Sequence, residues 1–268
     1  MIPGATEAIS RDGKVLILAY DHGLEHGPRD FEPVPSTTDP DEVFDVATHP
    51  AVTSIAVQKG VAEAYYPSYE DDVALTMKLN GTSEMWAGEP DTAVNCTVPY
   101  AADVGADAVG FTVYGGSNHE IDMAEEFRAI QEDARAHDLG VVMWSYPRGQ
   151  GLRNASSGES IAYAARLGLE LGADVAKVKY PGSEEAMEWA VQSAANCKVV
   201  MSGGSKASDR AFLSTVESSM NAGGSGLAVG RNVFQRENPR EILDALELII
   251  YEETTTQEAL EAIDSPEA

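Results

Sequence analysis

The chain is short of cysteine and of long apolar runs, and each shortage excludes a class of protein. Its 268 residues include only two cysteines, Cys96 and Cys197, too few for a disulfide framework and without the spacing of a metal site. No uninterrupted apolar run approaches the ~20 residues that a membrane span needs. The first residues, 1–7, lack the charged and apolar regions of a signal peptide, so we expect a cytoplasmic protein.

Basic residues are also scarce, and this shortage bears on the partners of the protein. The chain has 18 Lys and Arg against 44 Asp and Glu, a formal net charge of −26. Such a charge repels phosphate backbones and anionic lipids, so we expect neither nucleic acid nor membrane as a partner. Its self-repulsion largely vanishes at about 1 M salt, where the Debye length is only ~3 Å. We interpret the charge as halophilic adaptation to a very salty cytoplasm.

Apolar, β-branched segments recur along the chain and alternate with amphipathic helical patterns. The eight predicted strands lie at about 14–19, 54–58, 74–79, 108–113, 141–145, 175–179, 199–202 and 226–229. Helical spacing of apolar residues marks segments between them, including 123–137, 160–171, 184–195 and 209–222. Strict alternation indicates a parallel sheet, and eight such units predict a closed (β/α)8 barrel.

The domain organisation follows from what separates these segments. A doubly wound open sheet is the competing fold, but no Gly-x-Gly-x-x-Gly follows the first strand. No linker and no break in composition divides the chain, so we predict one domain over residues 1–268. The acidic tail from about residue 252 is expected to be a loosely attached helix or disordered.

Two lysines fall in the apolar segment 174–180. Side chains alternate along a strand, so Lys177 and Lys179 are expected to point the same way. Desolvation and a neighbouring ammonium both lower the pKa of a lysine, which raises its fraction of nucleophilic free amine. The alternative is a pair of lysines whose amines reach out to solvent at a strand end.

Polar residues and glycines cluster at the carboxyl ends of the predicted strands, where the active site of a barrel enzyme lies. After the last two strands, backbone N–H groups at glycines and a guanidinium fork suit an anion, with added positive charge from the following helix starts. We call this set the phosphate cup: Ser202, Gly203, Gly204, Gly230 and Arg231. A lysine beside a phosphate site suits a phosphorylated ketone or aldehyde held for imine formation.

Other strand ends supply the remaining candidates. Tyr146 can move protons, and Asp21, across the barrel, can hold a hydroxyl or assist hydrolysis of a carbinolamine. Trp144 is expected to form a wall of the pocket. Arg148 binds a second phosphate or pairs with the acidic surface, and the sequence leaves both alternatives open.

Two histidines, His22 and His26, are four residues apart and could share a metal on a helix. They fall in a loop bounded by Gly and Pro, and no third ligand of suitable spacing is evident. We therefore expect no metal, and no feature of the sequence calls for another cofactor.

Four motifs carry a resemblance to archaeal-type class I fructose-1,6-bisphosphate aldolases, Schiff-base enzymes. They are Leu-Ala-Tyr-Asp-His-Gly-Leu-Glu-His-Gly-Pro at 18–28, Trp-Ser-Tyr-Pro-Arg-Gly at 144–149, Lys-Val-Lys-Tyr at 177–180 and Ala-Val-Gly-Arg-Asn-Val-Phe-Gln-Arg at 228–236. The resemblance runs from about residue 11 to 250. It implies a lyase that cleaves fructose 1,6-bisphosphate reversibly into dihydroxyacetone phosphate and glyceraldehyde 3-phosphate, in glycolysis or gluconeogenesis.

The same resemblance implies roles for individual residues. Lys177 would form the Schiff base, Tyr146 would transfer protons, Asp21 would lie in the site, and the phosphate cup would bind dihydroxyacetone phosphate. Independently of the resemblance, Lys179 is expected to be a substrate-binding residue because it lies on the same face of the strand as Lys177. The family implies a homo-oligomer, often a decamer. The family usually has Pro after Ser-Gly-Gly, whereas this chain has Ser205, which bears on loop stiffness.

A sister group is the alternative. The 2-amino-3,7-dideoxy-D-threo-hept-6-ulosonate synthases, Schiff-base transaldolases of aromatic amino acid biosynthesis, resemble the chain at the lysine, at Tyr-Pro-Arg-Gly and at Gly-Arg-Asn. They typically read Met-Asp-His-Gly without the Glu-His-Gly-Pro extension present at 25–28, so the sequence favours the aldolase.

Overall fold

The computed structural model describes residues 6–264, and its centre is a closed barrel of eight parallel strands. The strands of the described part are Val15–Ala19 (β1), Ser54–Gln58 (β2), Leu75–Lys78 (β3), Asn80–Gly81 (β4), Ala93–Val94 (β5), Ala108–Val113 (β6), Gly140–Ser145 (β7), Val175–Val178 (β8), Lys198–Ser202 (β9) and Gly226–Val229 (β10). Around the barrel the order is β1-β10-β9-β8-β7-β6-β3-β2, while β4 and β5 form a separate antiparallel pair. The predicted (β/α)8 barrel is confirmed.

Each predicted strand coincides with one barrel strand to within one residue at either end. The strand bounds could be predicted from the sequence because strands of a parallel barrel are buried on both faces and are therefore continuously apolar. All five residues of β1 and all six of β6 are buried, for example. One difference matters for the site: β8 ends at Val178, so Lys179 begins the following loop rather than completing the strand.

Helices surround the barrel and follow the strands in alternation. The α-helices of the described part are His22–Glu25 (α1), Pro40–Ala47 (α2), Lys59–Tyr65 (α3), Val98–Asp103 (α4), Glu120–Ala136 (α5), Gly158–Glu170 (α6), Glu184–Ala194 (α7), Asp209–Asn221 (α8), Arg231–Phe234 (α9), Pro239–Tyr251 (α10) and Thr256–Asp264 (α11). Short 3-10 helices span Glu7–Ile9, Pro28–Phe31, Pro35–Thr38 and Tyr66–Ser68. Serine side chains cap the amino ends of α6, α7 and α8, as is favourable at that position. No helix within residues 6–264 is long and apolar enough to cross a membrane.

The core has two parts, one inside the barrel and one between the strands and the helices. Residues of the inner part include Ile17, Val142, Trp144, Val175 and Val200. Along β3 the alternation is legible in the sequence. Leu75 and Met77 face the helices, and the alternate residues Thr76 and Lys78 therefore face the barrel interior.

A buried ion pair joins α5 to the sheet. Both terminal nitrogens of Arg135 donate to the fully buried Asp174, at 2.6 and 2.8 Å. The Asp174 carboxylate also accepts from the backbone N–H of Val141, at 3.0 Å. The pair therefore fixes α5 against β7 and the start of β8.

The described part of the acidic tail forms the helix α11. Within the described residues, α11 packs against α8 and α10, with Ala259 fully buried. Glu217 of α8 accepts hydrogen bonds from the backbone N–H and the hydroxyl of Thr256, at 3.0 and 2.5 Å. Residues 265–268 of the predicted tail, like residues 1–5, lie outside the described part. The single domain over residues 1–268 stays a prediction.

Candidate active site

A cavity of about 560 Å³ opens at the carboxyl ends of the barrel strands. Every residue that the sequence singled out as catalytic or substrate-binding lines this cavity: Asp21, Trp144, Tyr146, Arg148, Lys177, Lys179, Ser202, Gly203, Gly204, Gly230 and Arg231. The strands bring them together because all their carboxyl ends meet at one rim of the barrel.

Lys177 lies inside the barrel near the end of β8 and is only 5% exposed. Its Nζ sits 4.7 Å from the centre of the Trp144 indole ring. The described residues 6–264 offer this amine no hydrogen-bond acceptor and no carboxylate within 4.0 Å. Burial lowers its pKa most, and Lys78 and Arg231 add to this, against the opposing effect of Asp21 and Glu25. Lys177 is thus a buried amine that is free to react.

A second buried lysine, Lys78 at the end of β3, also lies close to the Trp144 indole. Its Nζ is 5.4 Å from the ring centre of Trp144 and is fully buried. Unlike Lys177, it is held by hydrogen bonds: Nζ donates to the backbone oxygen of Asn80 at 2.7 Å and to the Asn80 Oδ1 at 3.0 Å. Burial lowers its pKa too, but its hydrogen bonds leave it poorly placed to act as a nucleophile.

The cations that lower the pKa of Lys177 are not the one that the sequence predicted. We expected Lys179 to be that neighbour, but the cations that act on Lys177 are Lys78 and Arg231. The reason is the early end of β8, which places Lys179 in the loop, half-buried and beside Arg148. The β3 alternation was the signal that could have revealed Lys78, because it places that side chain inside the barrel.

Two carboxyl groups face these lysines. Asp21 directly precedes α1, and Glu25 ends that helix four residues later, so both project from the same side of one helical turn. Burial alone would raise the pKa of Asp21, but Lys177, His22 and Lys78 outweigh it and hold that pKa below its usual value. Burial and the charge of Asp21 raise the pKa of Glu25. The sequence reasoning did not single out Glu25.

Tyr146 follows β7 and completes the reactive group. Burial, with the nearby carboxylates of Glu25 and Asp21, raises its pKa well above the usual value, although hydrogen bonding to Ser202 works against the shift. Its hydroxyl therefore stays protonated at neutral pH and can give a proton to a developing oxyanion.

The phosphate cup is held in shape by one buried amide. Asn232 donates from Nδ2 to the backbone oxygens of Gly203 and Ser205, at 2.8 and 2.9 Å. Its Oδ1 accepts from the backbone N–H of Ala207 at 2.9 Å. Asn232 thus ties the loop after β9 to the loop after β10, a role that depends on the folded structure and was not assigned from the sequence.

Glycine is required in the cup because the backbone passes close to its neighbours. A Cβ at Gly203 would lie 2.7 Å from a methyl carbon of Val229, and one at Gly230 would lie 2.5 Å from the backbone oxygen of Ala19. Arg231 is part-buried, with Nη1 3.7 Å from the buried Asp30. The amino ends of the following helices add less positive charge to the phosphate cup than expected. The helix α9 has only four residues, and α8 begins only at Asp209, several residues after the cup.

Arg148 lies at the rim, exposed, with its guanidinium carbon 5.1 Å from the ring centre of Tyr114. It lines the main cavity and a smaller adjoining one of about 330 Å³, which is formed by α1 and by the loop between β4 and β5. No carboxylate of the described residues lies within ion-pair distance of its guanidinium. The guanidinium is therefore available to an anionic ligand.

The two histidines considered as metal ligands have other neighbours. His22 is part-buried, with Nδ1 4.0 Å from Asp21 and its ring against Phe234, and desolvation lowers its pKa to about 4. The Nδ1 atom of His26 pairs with Glu84 instead. A group of three possible metal ligands, His49, Asp244 and Glu247, lies near the amino end of β2, away from this cavity.

Comparisons with known proteins bear on the chemistry of this cavity. A model of the DeoC/LacD family of aldolases matches residues 15–236. The class 1 fructose-bisphosphate aldolase of Halobacterium salinarum is 69% identical over 260 residues, 97% of this chain and 99% of its relative. The 2-amino-3,7-dideoxy-D-threo-hept-6-ulosonate synthase 1 of Archaeoglobus fulgidus is 32% identical over 253 residues, 94% of this chain and 92% of its relative.

A solved structure agrees with these relatives. An archaeal fructose-1,6-bisphosphate aldolase, whose catalytic Lys is covalently bound to the carbinolamine intermediate of the substrate, is 43% identical, with a TM-score of 0.88. The match covers 92% of this chain and 97% of that one. The resemblance drawn from the four motifs is confirmed. The chain belongs to the DeoC/LacD family of aldolases, within the group of class 1 fructose-bisphosphate aldolases.

Proposed function

We propose that this aldolase cleaves fructose 1,6-bisphosphate reversibly into dihydroxyacetone phosphate and glyceraldehyde 3-phosphate through an imine on Lys177. The observation that carries the proposal is the contrast between two buried lysines beside Trp144. The amine of Lys78 is held by hydrogen bonds, whereas that of Lys177 is free and faces the phosphate cup. A phosphorylated ketone anchored in the cup would present its carbonyl carbon to the free amine.

The imine supplies the driving force for carbon–carbon cleavage. Attack of the Lys177 amine on the C2 carbonyl and loss of water give an iminium, which accepts the electron pair of the C3–C4 bond as that bond breaks. Cleavage also requires loss of the proton from the C4 hydroxyl. In the condensation direction Tyr146 donates a proton to the aldehyde oxygen and becomes a tyrosinate, and in cleavage this tyrosinate takes the proton of the C4 hydroxyl.

The two phosphates of the substrate bind at opposite ends of the cavity. The phosphate cup takes the phosphate next to the ketone, through loop N–H groups and Arg231. Arg148 is the cation at the rim on the other side of Tyr146, and it takes the phosphate of the aldehyde end. In a chain with a net charge of −26, these cations also steer an anionic sugar phosphate into the cavity.

The cellular setting and the assembly of the protein are part of the same proposal. We infer that the protein acts on small phosphorylated sugars in the cytoplasm, in glycolysis or gluconeogenesis, and that it assembles as a homo-oligomer such as a decamer. The strong negative charge supports a salty cytoplasm, and the aldolase of a Halobacterium species is a close relative.

A test of the activity uses the purified protein in about 2 M potassium chloride, where surface repulsion is screened. We expect cleavage of fructose 1,6-bisphosphate, measured by coupling the release of triose phosphates to oxidation of a nicotinamide cofactor. A chelator should leave the rate unchanged, because the proposed chemistry uses a lysine in place of a metal. Absence of cleavage, together with formation of the aminodideoxyheptulosonate, would replace the aldolase by the transaldolase alternative.

A further inference from the structure

A second cavity, about 530 Å³ in volume, adjoins the loop after β7, and the proposed function does not use it. It is close in size to the active-site cavity of about 560 Å³. Its walls come from the loop after β6, the loop after β7, the start of α5 and one side of α6. We call it the side cavity. Cavities of this size, with apolar walls and a few polar groups, are typical of sites for small organic ligands.

The loop after β7 separates the side cavity from the active site. Tyr146 and Arg148 line the active-site cavity, whereas Pro147 and Gly151 line the side cavity. The N–H of Gly151 donates to the backbone oxygen of Gly116 at 3.1 Å, which fastens this loop to the loop after β6. A ligand in the side cavity would therefore contact different residues from a sugar phosphate in the active site.

One wall of the side cavity is apolar. The apolar residues that line it are Pro147, Leu152, Tyr163, Ala164 and Leu167. Leu152 packs on the backbone of Gly116, where a Cβ would lie 2.5 Å from Cγ of Leu152. Tyr163 of α6 is 71% exposed, and an exposed aromatic ring is free to stack on a flat ligand. The wall therefore suits a flat, apolar molecular body.

Arg153 is the cation of the side cavity, and it has no partner in the part of the chain that the structure describes. Its guanidinium forms neither an ion pair nor a hydrogen bond there. Such a guanidinium is uncommon in this acidic chain. Most of the described arginines pair with a carboxylate: Arg11, Arg29, Arg128, Arg135, Arg166, Arg231, Arg236 and Arg240. Arg153 is therefore available to an anionic ligand, as Arg148 is in the active site.

Two carboxylates that line the same cavity limit the charge of such a ligand. Glu120 accepts from the backbone N–H of Gly116 at 2.6 Å, so its position is fixed. Glu159 lies in the first turn of α6 and is exposed. These groups would repel a second negative charge on the ligand, because like charges brought together are unfavourable. The side cavity therefore favours a monoanion over a bisphosphate or a nucleotide.

We propose that the side cavity binds an aromatic monocarboxylate, with its carboxylate on Arg153 and its apolar body against Tyr163 and Leu152. The side-chain amide of Asn154 supplies a second donor, since its Nδ2 has no acceptor among the described residues. A planar guanidinium and a carboxylate can form two parallel hydrogen bonds, which fixes the orientation of the ligand. The proposed ligand site lies outside the active-site cavity and does not depend on the aldolase activity.

The test measures the binding of 2-naphthoate, a fluorescent aromatic monocarboxylate, by equilibrium dialysis against the full-length protein in about 2 M potassium chloride. The wild-type protein should bind it at one site. Arg153→Gln should weaken binding by roughly 10-fold or more, because a charge-assisted hydrogen bond is lost. The matched control is Arg210→Gln, which removes the same charge from an exposed arginine that also lacks a carboxylate partner among the described residues. It should leave binding unchanged.

Three further measurements locate the ligand and test its class. Arg148→Gln removes the unpaired arginine of the active site and should leave binding unchanged. Tyr163→Ala removes the exposed ring and should weaken binding, which keeps a test available if Arg153→Gln does not fold. Naphthalene-2,6-dicarboxylate carries a second carboxylate and should bind more weakly than 2-naphthoate, and equally tight binding would overturn the proposed ligand class.

The ligand site is wrongly assigned if the wild-type protein does not bind 2-naphthoate, or if folded Arg153→Gln or Tyr163→Ala binds it as tightly as the wild type. Loss of binding in Arg148→Gln with retention in Arg153→Gln would place the probe in the active site and would equally overturn the assignment. The aldolase activity is measured separately, by cleavage of fructose 1,6-bisphosphate, so failure of one proposal is distinguishable from failure of the other.

Discussion

The phosphate cup makes a quantitative prediction at Gly230, where the backbone passes closest to β1. An alanine Cβ at this position would lie 2.1 Å from Cε1 of His22 and 2.5 Å from the backbone oxygen of Ala19. The oxygen belongs to a barrel strand, and the His22 ring is packed edge-on against Phe234, so neither can move aside. To reach an ordinary contact of 3.4 Å with both atoms, the loop after β10 must withdraw by about 0.9 Å from the Ala19 oxygen and by about 1.3 Å from the His22 ring.

This shift should be visible in both stability and kinetics. Overpacking of this kind costs about 1–3 kcal/mol, so we expect Gly230→Ala to melt at a temperature lower by roughly 2–12 °C. A displacement near 1 Å in a binding loop costs on the order of 10²-fold in kcat/KM. The loss should be similar for fructose 1,6-bisphosphate and for fructose 1-phosphate, because both place a phosphate in the cup.

The control is Gly60→Ala in α3, where a new Cβ has no atom within 4 Å. It should leave the kinetics unchanged and stabilise the fold by up to ~1 kcal/mol. The assay is cleavage of both sugars by folded protein in concentrated salt, with melting followed by circular dichroism. Wild-type kinetics in a folded Gly230→Ala variant would show that the cup does not bind phosphate.

Three further predictions address the proton donor, the second phosphate and the stability of the barrel. Tyr146→Phe should lower the turnover by ~10²- to 10⁴-fold while imine formation on Lys177 persists, and near-normal turnover would remove Tyr146 from the mechanism. Arg148→Ala should raise KM for fructose 1,6-bisphosphate about 10- to 150-fold and affect fructose 1-phosphate much less; equal effects would make it a structural residue. Arg135→Met, which leaves Asp174 buried and unpaired, should cost about 3–5 kcal/mol in denaturant unfolding, whereas Arg128→Met at an exposed pair should cost about 0.2–0.5 kcal/mol, and equal costs would contradict the role of burial.

The barrel and the location of the site could be predicted from the sequence because both depend on local patterns. Strands buried on both faces give continuous apolar segments, and their carboxyl ends mark one rim whatever the side-chain details. Every residue drawn from those ends, from Asp21 after β1 to Arg231 after β10, lines the same cavity.

The partners of these residues could not be predicted in the same way. Lys78 is notable only because it lies near Trp144 and Lys177, which are on other strands. A lysine near a strand end is ordinarily solvated, so the sequence alone does not single it out. Glu25 became notable only when its helical turn placed it beside Asp21 and Lys78. Asn232 is polar and near a loop, and nothing local shows that it joins two loops. Such roles depend on contacts between distant segments of the chain.

The central claim is that Lys177 forms the imine, and one measurement tests it most directly. The wild-type protein is incubated with dihydroxyacetone phosphate in concentrated salt, reduced with borohydride and digested, and the modified lysine is identified by mass spectrometry. The account predicts a single adduct on Lys177, lost in Lys177→Ala and retained in Lys179→Ala. An adduct on Lys78 or on Lys179 in the intact protein, or no adduct at all, would contradict it.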